Sequence, residues 1–199
     1  TAGIEVKNSN LGQLPETTWF HYPSDYLGDI VHSLNVRSDN LYAESVLRLL
    51  SLSAHEKGSA EKGIDIIRKY WQNYEADSLE LFMYDGSGLA RNNKVSAKYL
   101  NCVLKETARD SLIGEYFVQT LPLAGKEGSV STFMKHGELP GELRLKSGSM
   151  SDVHAYAGYY TTPQNRYAIV VMINNYTCTR AQLKQKISAL LTQVLSKKE

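Results

Sequence analysis

The sequence lacks the features that mark several special classes of protein. Its two cysteines, Cys102 and Cys178, are too few for a disulfide-built domain and have no metal-ligand spacing. A formal net charge of +1, from 22 Lys and Arg against 21 Asp and Glu, argues against nucleic-acid binding and a polybasic membrane anchor. The longest apolar run, Tyr167–Ile173, is far shorter than the ~20 residues that span a bilayer. These absences leave a globular domain whose chemistry lies in its motifs.

What is present is enough apolar sequence for one compact domain. The chain has 199 residues, of which 42% are hydrophobic, and no repeat or linker divides it. Ile4–Pro23 mixes short strand-like pieces with turn residues and predicts one or two edge strands. Apolar residues at helical spacing then predict five helices, which begin near Asp25, Leu41, Ser59, Ser96 and Leu112.

After Gly141 the apolar periodicity changes from helical to alternating. Glu142–Lys146 alternates polar and apolar residues and predicts a strand with one solvated face. Val153–Thr161 and Tyr167–Ile173 predict a hairpin, and the continuous apolar run of the second predicts a buried central strand. Thr179 can cap a last helix whose apolar stripe lies on the sheet: Leu183, Ile187, Leu190, Leu191 and Val194. These elements predict an α/β layered domain.

Two short motifs have the residue types of one kind of acyl transfer. Ser38–Asn40 stands between two predicted helices, and Lys146–Gly148 ends a predicted strand. Acyl transfer from a peptide with a free carboxylate needs a hydroxyl relay near the leaving amine and an amide for the substrate's peptide group. It also needs a cation and a hydroxyl for the carboxylate. The motifs supply these groups in Ser38, Asn40, Lys146 and Ser147.

The two residues that follow Ser147 suit the same chemistry. Gly148 has no side chain that would block a substrate backbone at the strand edge. Ser149 can offer its backbone N–H to an oxyanion. Ser-Asp-Asn and Lys-Thr-Gly, together with Ser-x-x-Lys, form the active-site set of penicillin-binding proteins and class A β-lactamases.

Other segments extend the likeness to one family. Residues 84–92, YDGSGLARN, resemble the Asp-Gly-Ser-Gly-Leu-Ser-Arg stretch of class C low-molecular-mass penicillin-binding proteins, the D-alanyl-D-alanine carboxypeptidase/endopeptidases. Residues 121–129, LPLAGKEGS, are similar to their Leu-Pro-Leu-Ala-Gly-x-x-Gly-Ser/Thr stretch, and residues 38–44 and 146–159 to their second and third motifs. The four motifs follow the family's order and cover nearly the whole chain. The glycines of residues 85–88 also suit a tight turn.

The resemblance implies a penicillin-binding protein/β-lactamase-like transpeptidase fold, an antiparallel sheet flanked by helices, incomplete at the N-terminus. It implies a serine-type D-Ala-D-Ala carboxypeptidase or endopeptidase that acts on peptidoglycan stem peptides through an acyl-serine, without metal or organic cofactor. Asn40 then holds the substrate amide, and Ser38 relays a proton with Lys146. Ser147 takes the carboxylate, and the Ser149 amide helps to form the oxyanion pocket.

Two departures from the family pattern bear on activity. Ser147 stands where the family usually has threonine, which keeps the hydroxyl. No Ser-x-x-Lys precedes Ser38, although the family's nucleophile and lysine base stand there, separated from the second motif by inserted domains. The one literal match, Ser59–Lys62, follows the second motif and opens an amphipathic helix, where Ser59 is an ordinary N-cap. We therefore expect residues 1–199 to be the C-terminal portion of one penicillin-binding domain and inactive alone.

Expectations about partners and location follow from the same resemblance. The full-length parent should bind stem peptides and β-lactam antibiotics, and no nucleic acid. Because its substrate lies outside the cytoplasmic membrane, it should be exported to the periplasm; Thr1–Gly3 is not a signal peptide. Absent N-terminal strands and the nucleophile helix should expose apolar surface, which predicts a missing parent segment or a homodimer as cover. The sequence distinguishes neither carboxypeptidase from endopeptidase nor the preferred third stem residue, nor whether the cysteines are bonded.

Three alternatives were compared with this interpretation. A non-catalytic peptidoglycan-peptide-binding module would bind a D-Ala-D-Ala peptide without turnover. A serine β-lactamase shares the motifs, but no glutamate from Glu44 to Glu142 has asparagine four residues later, as class A enzymes do. A Ser-His-Asp hydrolase needs a placed histidine, and the sequence has no Gly-x-Ser-x-Gly elbow. His154 follows the third motif closely, but a strand histidine is more often a core or surface residue.

Overall fold

The structure is a computed structural model that describes residues 22–54, 57–74, 80–134 and 139–197. The segment Ile4–Pro23, where the sequence predicts edge strands, lies outside the described residues except for its last two positions. The described ranges contain these helices and strands: α1 Leu27–Arg37, α2 Asn40–Ser53, α3 Ala60–Trp71, β1 Leu81–Phe82, β2 Lys94–Val95, α4 Ala97–Arg109, α5 Gly114–Thr120, β3 Glu142–Met150, β4 Val153–Thr161, β5 Arg166–Asn174 and α6 Arg180–Leu195. No helix in these ranges is long and apolar enough to cross a membrane.

Side-chain caps fix where most of the predicted helices begin. The Asp39 carboxylate accepts the Tyr42 N–H at 3.0 Å and starts α2. Thr179 and Gln182 form a reciprocal capping box at the start of α6, as predicted. The Ser59 hydroxyl accepts the N–H three residues later and starts α3, so the literal Ser-x-x-Lys match is a helix start.

Helix α5 begins two residues later than its apolar spacing predicts. The Asp110 carboxylate accepts the backbone N–H groups of Leu112 and Ile113 at 2.8 and 3.1 Å. This side chain holds both residues in a turn that ends at Gly114, because a local hydrogen bond competes with the helical one.

The C-terminal half forms an antiparallel sheet in the order β3–β4–β5. The predicted hairpin is confirmed. Among the described strands β4 is central and β5, which contains Tyr167–Ile173, lies at one edge, so the predicted central position of this strand is not seen within the described residues. The continuous apolar run of β5 has another cause. Ile169 and Val171 pack against the core beneath α6, whereas Ala168 and Val170 pack against the core beneath α4. Because helices cover both faces of β5, neither face needs polar residues.

The larger core lies between the sheet and α6. Leu183, Ile187 and Leu191 are buried as predicted, but Leu190 and Val194 are 52% and 46% exposed, and Leu195 is buried in their place. The buried side chains of α6 are four residues apart, which is slightly more than one helical turn. The side of the helix that contacts the sheet therefore changes gradually along its length. Neither Cys102 nor Cys178 forms a disulfide.

Candidate active site

The two sequence motifs meet at one edge of the sheet. The Lys146 ammonium nitrogen donates to the Ser38 hydroxyl oxygen at 2.8 Å, although 108 residues separate them in the chain. The same ammonium donates to the Ser147 carbonyl oxygen at 2.7 Å. The structure thus brings together a hydroxyl, a cation and the strand that the motifs predict to hold the carboxylate.

Burial changes the acid–base properties of Lys146. The side chain is half-buried, and this desolvation lowers the pKa of its ammonium below the ordinary lysine value. None of the salt bridges among the described residues involves Lys146, so no carboxylate offsets the shift. A lysine of this kind exchanges a proton more readily than a surface lysine and suits a relay with Ser38.

Ser38 is held in a backbone conformation that favours glycine. It ends α1 with φ 55° and ψ 49°, and its N–H donates to the Leu34 carbonyl oxygen. A non-glycine residue in this left-handed region costs on the order of 1 kcal/mol. Buried Asn35 fixes α1 against α5 by donating to the Thr120 hydroxyl at 3.0 Å. The fold therefore holds a serine where a glycine would be less strained, which agrees with a role for its hydroxyl.

The middle residue of the first motif serves the fold, and the two outer residues remain for a ligand. Asp39 caps α2 through its carboxylate. Asn40 is exposed at the first position of α2. Among the described residues no hydrogen bond joins its amide to Ser38 or Lys146, so its proposed contact with a substrate stays a prediction.

The edge of β3 beyond Lys146 is open to a peptide. The backbone N–H and C=O groups of successive residues in a strand point to opposite sides of that strand. The Leu145 N–H points away from β4 and donates to the Pro122 carbonyl oxygen at 3.0 Å. Ser147 and Ser149, two and four residues after Leu145, direct their backbone groups to the same side. No backbone group of the described residues pairs with them there. A Cβ built on Gly148 meets no atom within 4 Å, so the face of the sheet is also open at this residue.

Ser129 is a residue of the site that the sequence motifs did not identify. Its hydroxyl lies 2.7 Å from the Ser147 hydroxyl, and either oxygen can donate. It belongs to the 128–130 turn, a short 3-10 helix of Gly128–Val130. The only signal in the sequence was its place at the end of the Leu-Pro-Leu-Ala-Gly-x-x-Gly-Ser stretch, which gave no reason to place it beside β3.

The Asp-Gly-Ser-Gly loop supports α2 and not the reaction itself. The Asp85 carboxylate accepts the N–H groups of Gly88 and Ala90 at 2.8 and 2.6 Å. Burial acts to raise the pKa of Asp85, but the hydrogen bonds it accepts outweigh this and lower it. The Glu44 carboxylate of α2 accepts the Gly86 N–H at 3.0 Å, and a Cβ on Gly86 would lie 2.6 Å from a backbone oxygen of α2. The glycines therefore serve a tight turn and a close approach, as the sequence allowed.

His154 is a core residue and does not reach the site. It is 3% exposed, lies opposite Ser149 in the sheet register and packs edge-on against the Tyr156 ring at 4.8 Å. Neither ring nitrogen has a hydrogen-bond partner. Burial, with smaller contributions from the charges of Lys184 and Arg180, lowers the pKa of its imidazole.

His154 gives the fold an acid sensitivity that can be measured. Its pKa is lower in the folded than in the unfolded chain, so the unfolded chain binds a proton first as pH falls below about 6.5. The stability present above that pH is lost as pH falls through the folded pKa. We expect His154→Phe, which keeps a ring against Tyr156, to lose less stability than the wild type between pH 7.5 and pH 5 in urea unfolding. An equal loss in both proteins would show that His154 does not titrate in this way.

Comparison with solved structures defines the class of fold. The crystal structure of penicillin binding protein 4 (dacB) from Haemophilus influenzae is similar with a TM-score of 0.70 and 25% identity, covering 84% of this chain and 39% of that one. The same protein complexed with a β-lactam gives a TM-score of 0.68 at 26% identity, over 84% of this chain and 41% of that one. The described residues therefore have a penicillin-binding protein fold, as the motifs implied.

The family follows from the sequence comparison. The model of the D-Ala-D-Ala carboxypeptidase 3 (S13) family matches residues 5–197, and the chain belongs to this family. It is 28% identical over 171 residues to the D-alanyl-D-alanine carboxypeptidase DacB of Haemophilus influenzae, and 25% identical over 187 residues to the D-alanyl-D-alanine carboxypeptidase of Actinomadura. These alignments cover 83% and 88% of this chain but only 35% and 34% of the relatives, so the chain spans about a third of their length. The resemblance to class C low-molecular-mass penicillin-binding proteins is confirmed.

Proposed function

We propose that this chain forms the substrate-binding side of a serine-type D-Ala-D-Ala carboxypeptidase or endopeptidase site that acts on peptidoglycan stem peptides. The observation that carries the proposal is the 2.8 Å hydrogen bond from Lys146 to Ser38 beside an open strand edge. The activity named for two relatives supports the substrate class. The β-lactam bound to a similar solved structure supports β-lactams as ligands of the parent.

Each residue has one role in the proposed reaction. A serine hydroxyl attacks the carbonyl carbon of the penultimate D-Ala, the peptide bond breaks, and an acyl-serine forms that water later hydrolyses. Ser38 passes a proton to the leaving amine, and Lys146 exchanges that proton with Ser38. Asn40 holds the substrate amide, Ser147 binds the terminal carboxylate, and the Ser149 N–H stabilises the oxyanion beside Gly148.

The attacking serine is not supplied by any motif of these 199 residues. The one Ser-x-x-Lys has its serine engaged as the cap of α3. We therefore propose that the chain is the C-terminal portion of one penicillin-binding domain and that the nucleophile belongs to another segment of an exported, periplasmic parent. That segment, or a second copy of the chain, would cover exposed apolar side chains of the α1–α2 region, such as Tyr26 before α1 and Leu41 in α2.

A reporter penicillin tests whether these residues act alone. Incubation of the 199-residue chain with a fluorescent penicillin, followed by intact-mass measurement, should give no covalent adduct, because no nucleophilic serine is activated. Ser38→Ala serves as the matched control and should also give none. A stoichiometric adduct that disappears in Ser38→Ala would contradict the proposal, since Ser38 would then be the nucleophile.

A binding module without catalysis is the second candidate. The open β3 edge and the Lys146–Ser147 pair can hold a peptide whether or not a nucleophile is present. Titration with a D-Ala-D-Ala peptide that shows millimolar or tighter binding, in a parent that never turns it over, would favour this function.

A further inference from the structure

The paired hydroxyls of Ser129 and Ser147 have a property that the sequence motifs do not explain. Their oxygens lie 2.7 Å apart, which is the separation of a direct O–H···O bond. In this pair only one hydroxyl can donate to the other. The hydrogen of the second hydroxyl therefore remains available to a ligand at the β3 edge.

The fold determines the position of Ser129 from both sides. Gly128 precedes it with φ +51°, and a Cβ there would lie 2.2 Å from the Val36 carbonyl oxygen at the end of α1. Val130 follows it and is completely buried, while its carbonyl oxygen accepts the Gly125 N–H at 3.0 Å. The 128–130 turn thus packs between β3, which contains Ser147, and the end of α1, which Ser38 follows. Ser129 itself is exposed.

Two adjacent hydroxyls suit a carboxylate better than an amide. A carboxylate has two acceptor oxygens and no donor, so it can accept the free hydroxyl hydrogen of the pair, and both hydrogens when it displaces the bond between the two hydroxyls. Hydrogen bonds to an ionised acceptor are shorter and stronger than those to a neutral one. The Lys146 ammonium, 2.7 Å from the Ser147 carbonyl oxygen, adds positive charge beside them. A terminal amide is neutral, so it gains neither the charge-assisted hydrogen bonds nor the attraction of the ammonium.

We propose that Ser129 is a second carboxylate-binding hydroxyl of this site, which together with Ser147 selects peptides with a free C-terminal carboxylate. The proposal rests on the function proposed above and deepens it, because it assigns the site a preference for substrates that carry a carboxylate at this position over those that carry a neutral amide. Ser129 binds the substrate carboxylate and takes no part in the proton relay.

Binding measurements on the 199-residue chain test this assignment. The probes are diacetyl-Lys-D-Ala-D-Ala and the same peptide with a C-terminal amide, titrated calorimetrically at neutral pH. We expect the wild type to prefer the acid. Ser129→Ala should weaken acid binding about tenfold, the loss of one hydrogen bond to a charged group, and leave amide binding unchanged. Ser129→Thr keeps the hydroxyl and should keep the preference.

Controls separate this assignment from the function itself. Ser131→Ala removes another exposed serine two residues later and should change neither affinity. If Ser147→Ala removes the preference for the acid but Ser129→Ala does not, the assignment of Ser129 is wrong and the proposed function stands. Equal weakening of acid and amide in Ser129→Ala means a structural role and also overturns the assignment. A wild type that binds neither peptide contradicts both the assignment and the proposed function.

Discussion

Replacing Gly128 by alanine should lower the free energy of unfolding by about 4 kcal/mol, the combined cost of a strained backbone and an overpacked contact. The backbone at Gly128 has φ +51°, and the added Cβ would lie 2.2 Å from the Val36 carbonyl oxygen. Backbone atoms stand on both sides of this contact, so no flexible side chain can move to relieve it. The 128–130 turn or the end of α1 must shift, and such a shift displaces Ser129 or Ser38.

Gly88 provides the matched control for this substitution. It also has a positive φ, +79°, but a Cβ built on it meets no atom within 4 Å. Gly88→Ala should therefore show only the conformational cost, about 1–2 kcal/mol. Urea unfolding followed by circular dichroism measures both variants. Equal costs would mean that the approach of the 128–130 turn to α1 does not determine the stability of this region.

Replacing Lys146 by methionine should change ligand binding and stability in opposite directions. Met keeps the apolar stem but removes the ammonium that contacts Ser38 and Ser147. Binding of a D-Ala-D-Ala peptide should weaken at least about 100-fold, because a desolvated charge partner of the carboxylate is lost. At neutral pH the melting temperature should rise by a few degrees, about the effect of 1 kcal/mol on a chain of this size.

The rise in stability follows from the sign of the pKa shift. Burial lowers the pKa of Lys146, so the folded chain binds the lysine proton less tightly than the unfolded chain does. Below the folded pKa both states carry the charge, and the folded state bears the cost of its desolvation. Removing the charge removes that cost, a trade-off expected where function requires an unfavourable group.

Lys126 is exposed, so Lys126→Met is the control for the loss of one positive charge and the gain of one methionine. Lys126→Met should change neither the melting temperature nor peptide binding appreciably. Calorimetric titration and thermal melts at pH 7 measure all three proteins. Lys146→Met with unchanged peptide affinity and a lower melting temperature would mean that Lys146 is a structural residue and not part of a ligand site.

Local signals in the sequence predicted the helix starts and the hairpin. Asp39, Ser59 and Thr179 are caps whose side chains bond to nearby backbone N–H groups, so their effect is visible within four residues of sequence. The Ser38–Lys146 contact spans 108 residues, and only the resemblance to a family predicted that these two motifs converge. The chemistry of the residue types alone identified Ser38 and Lys146 as candidates but did not predict that they are in contact.

The parts that sequence reasoning missed depend on how elements lie against one another. The apolar run of β5 predicts two covered faces and a central strand; helices cover both faces, although β5 lies at the edge of the described sheet. The exposure of Leu190 follows from the four-residue spacing of the buried α6 side chains, which the apolar pattern of the helix did not distinguish from a wider stripe. Ser129 reaches Ser147 because the 128–130 turn packs between α1 and β3, a placement that no local pattern encodes.

A crystal structure of the chain with a D-Ala-D-Ala peptide bound would show whether these residues form one ligand site. We expect the Lys146 ammonium within hydrogen-bond distance of the Ser38 hydroxyl, the peptide backbone along the Ser147–Ser149 edge of β3, and the terminal carboxylate on the Ser147 hydroxyl. A properly folded chain in which Ser38 and Lys146 lie apart and contact no common ligand would contradict this expectation.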